Sequence, residues 1–327
     1  MKIDMVYLWV DGSDEKWKTK KNAELKKIGK QPPVEAIGDV RFSDNDELLF
    51  SLRSVEKFAP WVNHVFIVTD NQTPKWLDVN NPKITIVDHT EIMPKDALPC
   101  FNSIVIEFFI PNIADLSEYF IYGNDDMLFM AKTAPDYFFT KRGVPIIRAV
   151  SVKNRGKNIL FPVGQTFTAL WESGTNYDRS ILNSKKLVYD IVGDYDYHWL
   201  PSHNIDAYKK SDMLYVLNIN IVAQKFNGVI KNRFRCENDF HRILFHLFGA
   251  VKYGYKIVKN DFLTKLLQHL TFRFRDIPLY AEDIKKDVSR RIRRKLACVQ
   301  DLADEKIRKS NQDYLKKMFP NKSEFEK

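Results

Sequence analysis

The chain has 327 residues, of which 44% are hydrophobic and 13% are aromatic. This is enough apolar material for one large domain or two smaller ones, and it excludes an intrinsically disordered protein. The net charge of +9, from 51 Lys and Arg against 42 Asp and Glu, indicates an anionic partner (nucleotide sugar, phospholipid surface or nucleic acid) or only a solvated lysine-rich surface.

The three cysteines, Cys100, Cys236 and Cys298, are far apart in the sequence and form no CxxC pair. This pattern predicts neither a disulfide framework nor a zinc site, and it is typical of a reducing cytosol. No stretch approaches about 18 uncharged apolar residues, and the N-terminus lacks the apolar core of a secretory signal. We therefore expect a cytoplasmic protein that touches the inner face of a membrane at most peripherally.

Four apolar runs in the first part of the chain predict β-strands, and polar or acidic residues follow each of them. The runs are residues 3–10, 65–68, 84–87 and 119–122. Helical or loop segments separate them, including a helix that opens at residues 43–47, where Asp44 and Glu47 have capping-box-like spacing. This alternation predicts an α/β fold with a mainly parallel, Rossmann-like sheet flanked by helices and a site along one edge.

Two adjacent carboxylates, Asp125 and Asp126, follow the fourth run. Open α/β sheets bind their ligands at the carboxyl ends of strands, and neighbouring carboxylates there repel each other unless a cation holds them. A hard divalent ion that also bridges substrate phosphates is the natural occupant, so we predict Mg2+ or Mn2+ at this pair. The alternative is a polar turn in which Asp125 caps nearby backbone groups.

Beyond residue 133 the pattern becomes irregular. We interpret residues 1–279 as a catalytic α/β domain, residues 140–200 within it as an inserted acceptor-side region, and residues 280–327 as a basic helical tail. Residues 202–206 resemble a helix start capped by Ser202. The basic stretch 285–295 predicts either docking on anionic lipid headgroups or a helix packed on the core with a solvated basic face. No recognition motif indicates nucleic acid.

Several stretches together resemble a known family. Residues 3–14 read IDMVYLWVDGSD, residues 41–48 read RFSDNDEL, residues 51–56 read SLRSVE and residues 124–126 read NDD. In order and density they resemble the Stealth family of sugar-1-phosphate transferases, which includes bacterial capsule and cell-surface polysaccharide enzymes and the catalytic subunit of the lysosomal-enzyme GlcNAc-1-phosphotransferase. The resemblance is nearly continuous over residues 3–130 and thinner at residues 202–206 and 235–239.

The resemblance implies a GT-A-like sheet and transfer of a sugar 1-phosphate from a UDP-linked or other nucleotide sugar to a hydroxyl of a glycan acceptor, free or lipid-linked, in bacterial polysaccharide synthesis. Asp125 and Asp126 would hold the metal, Arg235 would bind the phosphoryl oxygens, and His203 would take the acceptor proton. Asp239 would either orient the histidine or complete the metal shell.

Donor contacts are expected, by the same resemblance, from Trp9, Asp11, Gly12, Ser13, Arg53, Asn102 and Ser103. Trp9 has an alternative place in the core, and Arg235 and Asp239, four residues apart, have an alternative as a simple ion pair. Two other functions compete with phosphoryl transfer. One is a GT-A type glycosyltransferase that breaks the C1–O bond and releases a nucleoside diphosphate, and the other is a polysaccharide-binding module without activity.

Overall fold

The computed structural model describes residues 1–29, 31–151, 175–193, 195, 199–260, 295–299 and 305–327. The strands in these ranges are β1 (Ile3–Leu8), β2 (Val65–Thr69), β3 (Ile84–Asp88), β4 (Tyr119–Asn124), β5 (Met127–Phe129), β6 (Ile146–Ser151), β7 (Trp199–Pro201), β8 (Asp206–Lys209), β9 (Lys256–Asn260) and β10 (Leu296–Cys298). The α-helices are α1 (Glu15–Lys27), α2 (Val34–Ile37), α3 (Glu47–Phe58), α4 (His89–Ile92), α5 (Ser103–Glu107), α6 (Asn176–Val192), α7 (Lys210–Leu217), α8 (Asn220–Asn227), α9 (Ile243–Lys252) and α10 (Glu305–Met318).

The central sheet has the strand order β3-β2-β1-β4-β8. Strands β1 to β4 are parallel, and β8 runs antiparallel to β4. Leu8 lies opposite both Val68 and Asn124, so the carboxyl ends of three strands meet at one edge. Strands β1, β2 and β4 are mostly apolar because both of their faces are covered, although β1 also carries the buried Asp4. Val6 faces one core cluster, whereas Met5 and Tyr7 face the other. The predicted α/β fold with a mainly parallel sheet is confirmed.

The region between residues 140 and 200 extends the core on one face of the central sheet. Strand β6 pairs with β9 in parallel and with β7 in antiparallel orientation, and this forms a second sheet. Ile147, Leu187 and Trp199 join the core cluster that also contains Val6. Residues 152–174 of this region lie outside the described residues, and its acceptor-side role stays a prediction.

Two local predictions are wrong. Residues 202–205 link β7 to β8 and do not begin a helix, because pairing of β8 with β4 keeps the following residues extended until α7 begins at Lys210. Asp44 and Glu47 do not form a capping box either. Helix α3 starts after Asp46, which has a φ of 65° and makes no side-chain cap, and Glu47 accepts hydrogen bonds from the backbone and side chain of Asn45.

The expected helical tail contains a strand as well as a helix. Helix α10 is present, but Leu296–Cys298 form β10, which pairs antiparallel with β5 directly after the Asp125-Asp126 turn. The expected boundary at residue 279 and the basic stretch 285–294 lie outside the described residues. Among the helices that are described, none has the length and apolar character needed to cross a membrane.

Candidate active site

A tight turn at the end of β1 forms one wall of the edge. The side chain of Asp11 accepts hydrogen bonds from the backbone N–H and the hydroxyl of Ser13 at 2.8 and 2.6 Å. The backbone of Asp11 pairs with the side chain of Gln72, which ties the ends of β1 and β2 together. Gly12 donates its N–H to the Phe42 carbonyl at 2.6 Å, and a Cβ at this position would lie 2.3 Å from that oxygen. Only glycine therefore allows the segment around Phe42 to lie across the site.

Four acidic side chains lie close to one another beside this turn. Burial raises the pKa of Asp125 well above its ordinary value, and the charges of Asp126, Glu47 and Asp44 raise it further. Burial likewise raises the pKa of Glu47 to about 7 and that of Asp44 to about 6. The nearby indole N–H of Trp9 lowers the pKa of Asp44 in part. Like charges in a partly buried place are stabilised by a bound cation, so the electrostatics favour one here.

The adjacent pair, Asp125 and Asp126, occupies the turn between β4 and β5. The backbone N–H of Asp126 donates to Oδ1 of Asp125 at 3.1 Å, and the Cys298 thiol donates to Oδ2 of Asp126 at 3.1 Å. Burial and the neighbouring Asp126 raise the pKa of Cys298 well above that of an ordinary thiol, so the thiol keeps its proton. Over the described part of the chain, no three His, Cys, Asp or Glu side chains converge closely enough to hold a metal ion by themselves. Two carboxylates still fit Mg2+, which takes one or two of them and fills its other positions with water and substrate phosphates.

Two buried guanidinium groups form the opposite, cationic wall. Nη2 of Arg41 and Nη2 of Arg235 both donate to the hydroxyl oxygen of Ser103, at 3.0 and 3.2 Å. The Nε atoms of both arginines are buried without a hydrogen-bond partner among the described residues. In the same part of the chain neither group belongs to an ion pair. Burial, reinforced by the positive charge of Arg235, lowers the pKa of Arg41 to about 9, so Arg41 stays charged at neutral pH; burial also lowers the pKa of Arg235. The Glu107 carboxylate acts electrostatically on both groups but is ion-paired with Arg242, so the two arginines keep donors for the negative charge of a phosphate.

Asp239 joins the two chain segments that carry the cationic wall. Its Oδ2 accepts from Asn102 Nδ2 at 2.8 Å and from the Cys236 backbone N–H at 2.9 Å, and its Oδ1 accepts from Asn232 Nδ2 at 2.7 Å. Asn102 precedes Ser103, and Cys236 follows Arg235. The side chain therefore neither orients the histidine nor joins the carboxylate pair, and it holds the Ser103 segment against the Arg235 segment.

His203 lies at the same edge because β8 is antiparallel to β4. Asp206, the first residue of β8, pairs with Tyr122, and His203 precedes it on the side where β4 ends. Burial lowers the pKa of His203 to about 4, and the positive charges of Arg242 and Arg235 lower it further. The imidazole is therefore neutral at pH 7, and a neutral imidazole is the form that accepts a proton.

A buried ion network supports this part of the edge. Arg242 Nη1 contacts Glu107 Oε1 at 3.1 Å, Arg242 Nη2 lies 3.7 Å from Asp206 Oδ2, and the hydroxyl of Tyr122 donates to Glu107 Oε1 at 3.0 Å. None of these residues was singled out from the sequence. Arg242 follows Asp239 by three positions, but a charged residue near a helix start carries no local signal of burial. Among the missed residues, Arg41 had the clearest sequence signal, because it begins the RFSDNDEL stretch that carries part of the family resemblance.

Two predicted donor residues have other roles. Arg53 lies on α3, six residues and roughly 9 Å beyond Glu47, and is therefore displaced from the acidic cluster at the start of the helix. Its Nε and Nη2 pair with the carboxylate of Glu326 at 2.8 and 2.6 Å, and its Nη1 donates to the Phe319 carbonyl at 2.7 Å. All three guanidinium nitrogens thus anchor the C-terminal segment, which corrects the predicted donor contact. Trp9 is 6% exposed and packs in the core, which is its alternative position.

Comparisons with known proteins bear on the family of the chain. Family models for Stealth protein conserved regions 1 and 2 match residues 1–29 and 41–147. Exopolysaccharide phosphotransferase cps2G of Lactiplantibacillus plantarum is 31% identical over 99% of this chain and 96% of the relative. Capsular polysaccharide phosphotransferases fcs1 of Haemophilus influenzae and cps1A of Actinobacillus pleuropneumoniae are 37% and 36% identical over 74% and 73% of this chain. The match spans only 63% and 62% of those two relatives.

Among solved structures, the galactosyltransferase LgtC in complex with donor and acceptor sugar analogs matches 98% of both chains at 11% identity. Its TM-score of 0.42 is too low to bear on the argument.

The near full-length relative is a phosphotransferase, and this chain likewise has an α/β sheet with carboxylates, two arginines and a neutral histidine at its carboxyl edge, so its class is that of the transferases. The chain belongs to the Stealth family, as its near full-length match to a phosphotransferase and its two conserved regions show.

Proposed function

We propose that the protein transfers a hexose 1-phosphate or N-acetylhexosamine 1-phosphate from a nucleotide sugar, UDP-linked, to a hydroxyl group of a glycan acceptor. The acceptor hydroxyl attacks the β-phosphorus, a phosphodiester forms, and a nucleoside monophosphate leaves. The names of the relatives support a place in bacterial capsule or exopolysaccharide synthesis.

The observation that carries the proposal is the pair of guanidinium groups on one serine hydroxyl. Arg41 and Arg235 both donate to Ser103, and the Nε of each is buried without a hydrogen-bond partner among the described residues, so each keeps donor capacity that a ligand would use. Planar donor forks suit phosphate oxygens better than a point charge does. Two such forks would bind the transferring phosphoryl group and stabilise the charge that develops on it.

The carboxylate pair would hold the divalent ion on the other wall. Asp125 and Asp126 supply oxygen ligands next to the turn at Asp11–Ser13, which we assign to the donor. Mg2+ or Mn2+ bound there would neutralise charge on the diphosphate and on the departing monophosphate. Trp9 lies in the core beside Asp44, and in this proposal it supports the metal side.

His203 would receive the proton of the acceptor hydroxyl while the new P–O bond forms and the bond between the β-phosphorus and the bridging oxygen breaks. In the free enzyme the low pKa of His203 makes it a weak base, because burial disfavours the charged imidazolium and because Arg242 and Arg235 repel an added proton. The negative charges of a bound diphosphate offset the arginines and raise the pKa of His203 in the complex. The base thus becomes stronger when donor is bound.

A lipid-linked acceptor and peripheral contact with an anionic membrane belong to the same proposal. They rest on the basic stretch 285–295, most of which lies outside the described residues, and on the acceptors expected for capsule synthesis. Binding to anionic vesicles that persists after replacement of Arg290, Arg291, Arg293 and Arg294 would contradict this assignment.

The test is a donor labelled with 32P in the β-phosphate, incubated with acceptor and Mg2+. Transfer to phosphorus predicts label in the glycan product and unlabelled UMP in solution. Label recovered in UDP would mean that the sugar alone moved, and the protein would then be a GT-A type glycosyltransferase. A protein that binds glycan but neither donor nor metal would be the polysaccharide-binding module.

A further inference from the structure

The strand β10 contacts the Asp125-Asp126 turn from a segment about 170 positions later in the chain. Cys298 pairs with Met127, the first residue of β5. The Val299 N–H donates to the carbonyl of Asp126 at 2.8 Å, and the Cys298 thiol donates to Oδ2 of the same residue at 3.1 Å. Backbone and side chain of Asp126 are thus both held by two consecutive residues of one segment.

The segment is itself firmly packed. Leu296, Ala297 and Cys298 are each 2% exposed or less, and Val299 packs with Phe50 and Leu128 in a separate core cluster. The Lys295 carbonyl accepts the Met130 N–H at 2.8 Å. A packed strand of this kind fixes the orientation of a carboxylate that it contacts, whereas a carboxylate on an unsupported polar turn can rotate.

We infer that β10 is a positioning element of the carboxylate site, and that Cys298 is the positioning residue that orients Asp126 for the divalent ion. The inference rests on the proposed function, because it requires a metal at Asp125 and Asp126. A thiol hydrogen bond fixes the rotamer of the carboxylate before the ion arrives, so binding does not have to order it. Partners that orient a metal ligand contribute about tenfold to a hundredfold in metal affinity.

The test measures Mn2+ binding by electron paramagnetic resonance in the presence of UDP, a readout that does not depend on turnover. Cys298→Ala removes the donor, and Cys298→Ser keeps a donor of similar size. Leu296→Ala is the matched control, since Leu296 lies on the same strand and the same side but pairs with Phe129, two residues beyond the partner of Cys298. Thermal unfolding of each variant is measured alongside.

We expect Cys298→Ala to weaken Mn2+ binding at least tenfold, Cys298→Ser to retain most of the affinity, and Leu296→Ala to unfold at a lower temperature with Mn2+ affinity within twofold of wild type. Equal affinity in Cys298→Ala and wild type overturns the inference and leaves the proposed function standing. Equal loss in Cys298→Ala and Leu296→Ala also overturns it, because the effect is then general destabilisation. No Mn2+ binding by the wild-type protein overturns both the inference and the metal assignment.

Discussion

Replacement of Asp239 by Asn tests how the cationic wall is held. The carboxylate accepts three hydrogen bonds, two on Oδ2 and one on Oδ1. The amide that replaces the carboxylate in Asp239→Asn has only one acceptor oxygen. In its best orientation this oxygen keeps the hydrogen bonds from Asn102 and from the Cys236 backbone, and the NH2 group then faces Asn232, so the bond from Asn232 is lost. Loss of one bond to a charged group costs about 1.5–3 kcal/mol. Burial raises the pKa of Asp239, so the removed charge was itself costly, and we expect a net loss of about 2 kcal/mol in the free energy of unfolding.

The same substitution should also weaken donor binding. Without all of the hydrogen bonds made by Asp239, the Arg235 segment can move relative to Ser103. We therefore expect a dissociation constant for UDP-sugar that is at least tenfold higher, which corresponds to a loss of about 1.4 kcal/mol in binding free energy. Urea denaturation gives the stability and isothermal titration calorimetry gives the affinity. Asn238→Ala is the control, because Asn238 is exposed and bonds only to Asn232 in this cluster. A donor affinity in Asp239→Asn within twofold of the control would refute the positioning role, whatever the loss of stability.

Four further substitutions test the remaining assignments. Asp125→Asn should lower kcat at least a hundredfold with Mg2+ present, since a metal ligand is lost, and full activity in EDTA would contradict this. Arg41→Lys should raise the KM for donor about tenfold or more, because a point charge cannot replace a planar fork, and unchanged kinetics would remove Arg41 from the site. His203→Gln should abolish turnover yet preserve donor affinity. In the wild-type enzyme, the acid limb of the kcat/KM profile should lie near the free-enzyme pKa of about 4, and the acid limb of the kcat profile should lie at higher pH. Coincident acid limbs would argue against proton transfer to His203. His246 is stacked on Tyr208, and burial lowers its pKa to about 3, so between about pH 3 and 6.5 the unfolded chain binds a proton that the folded protein excludes. The free energy of unfolding therefore falls as the pH falls through this range, by at most about 1.4 kcal/mol per pH unit. His246→Gln should reduce this pH slope by about one proton in urea titrations, and an unchanged slope would disprove the assignment.

The sequence by itself determined the central sheet and its active edge. Strands buried on both faces are mostly apolar, so β2, β4 and, apart from Asp4, β1 are visible as nearly continuous runs, and the residues after them become polar because they leave the core. Parallel strands bring those polar ends to one edge whatever the details of packing. The pair at Asp125 and Asp126 and the turn at Asp11–Ser13 were therefore predictable as neighbours.

Only the tertiary structure decided which distant side chains share a contact. Arg41, Ser103 and Arg235 meet although 62 and 132 residues separate the serine from its two partners, and no local pattern specifies a contact across such distances. Arg53, in the same dense stretch of family-like residues as Arg41, pairs with Glu326 because its face of α3 covers the C-terminal segment. The short strands were likewise not predictable from local sequence. Residues 206–209 and 296–298 became strands because a neighbouring strand offered its unpaired backbone groups, and hydrogen bonds to that neighbour outweigh the weak local preference of three or four residues.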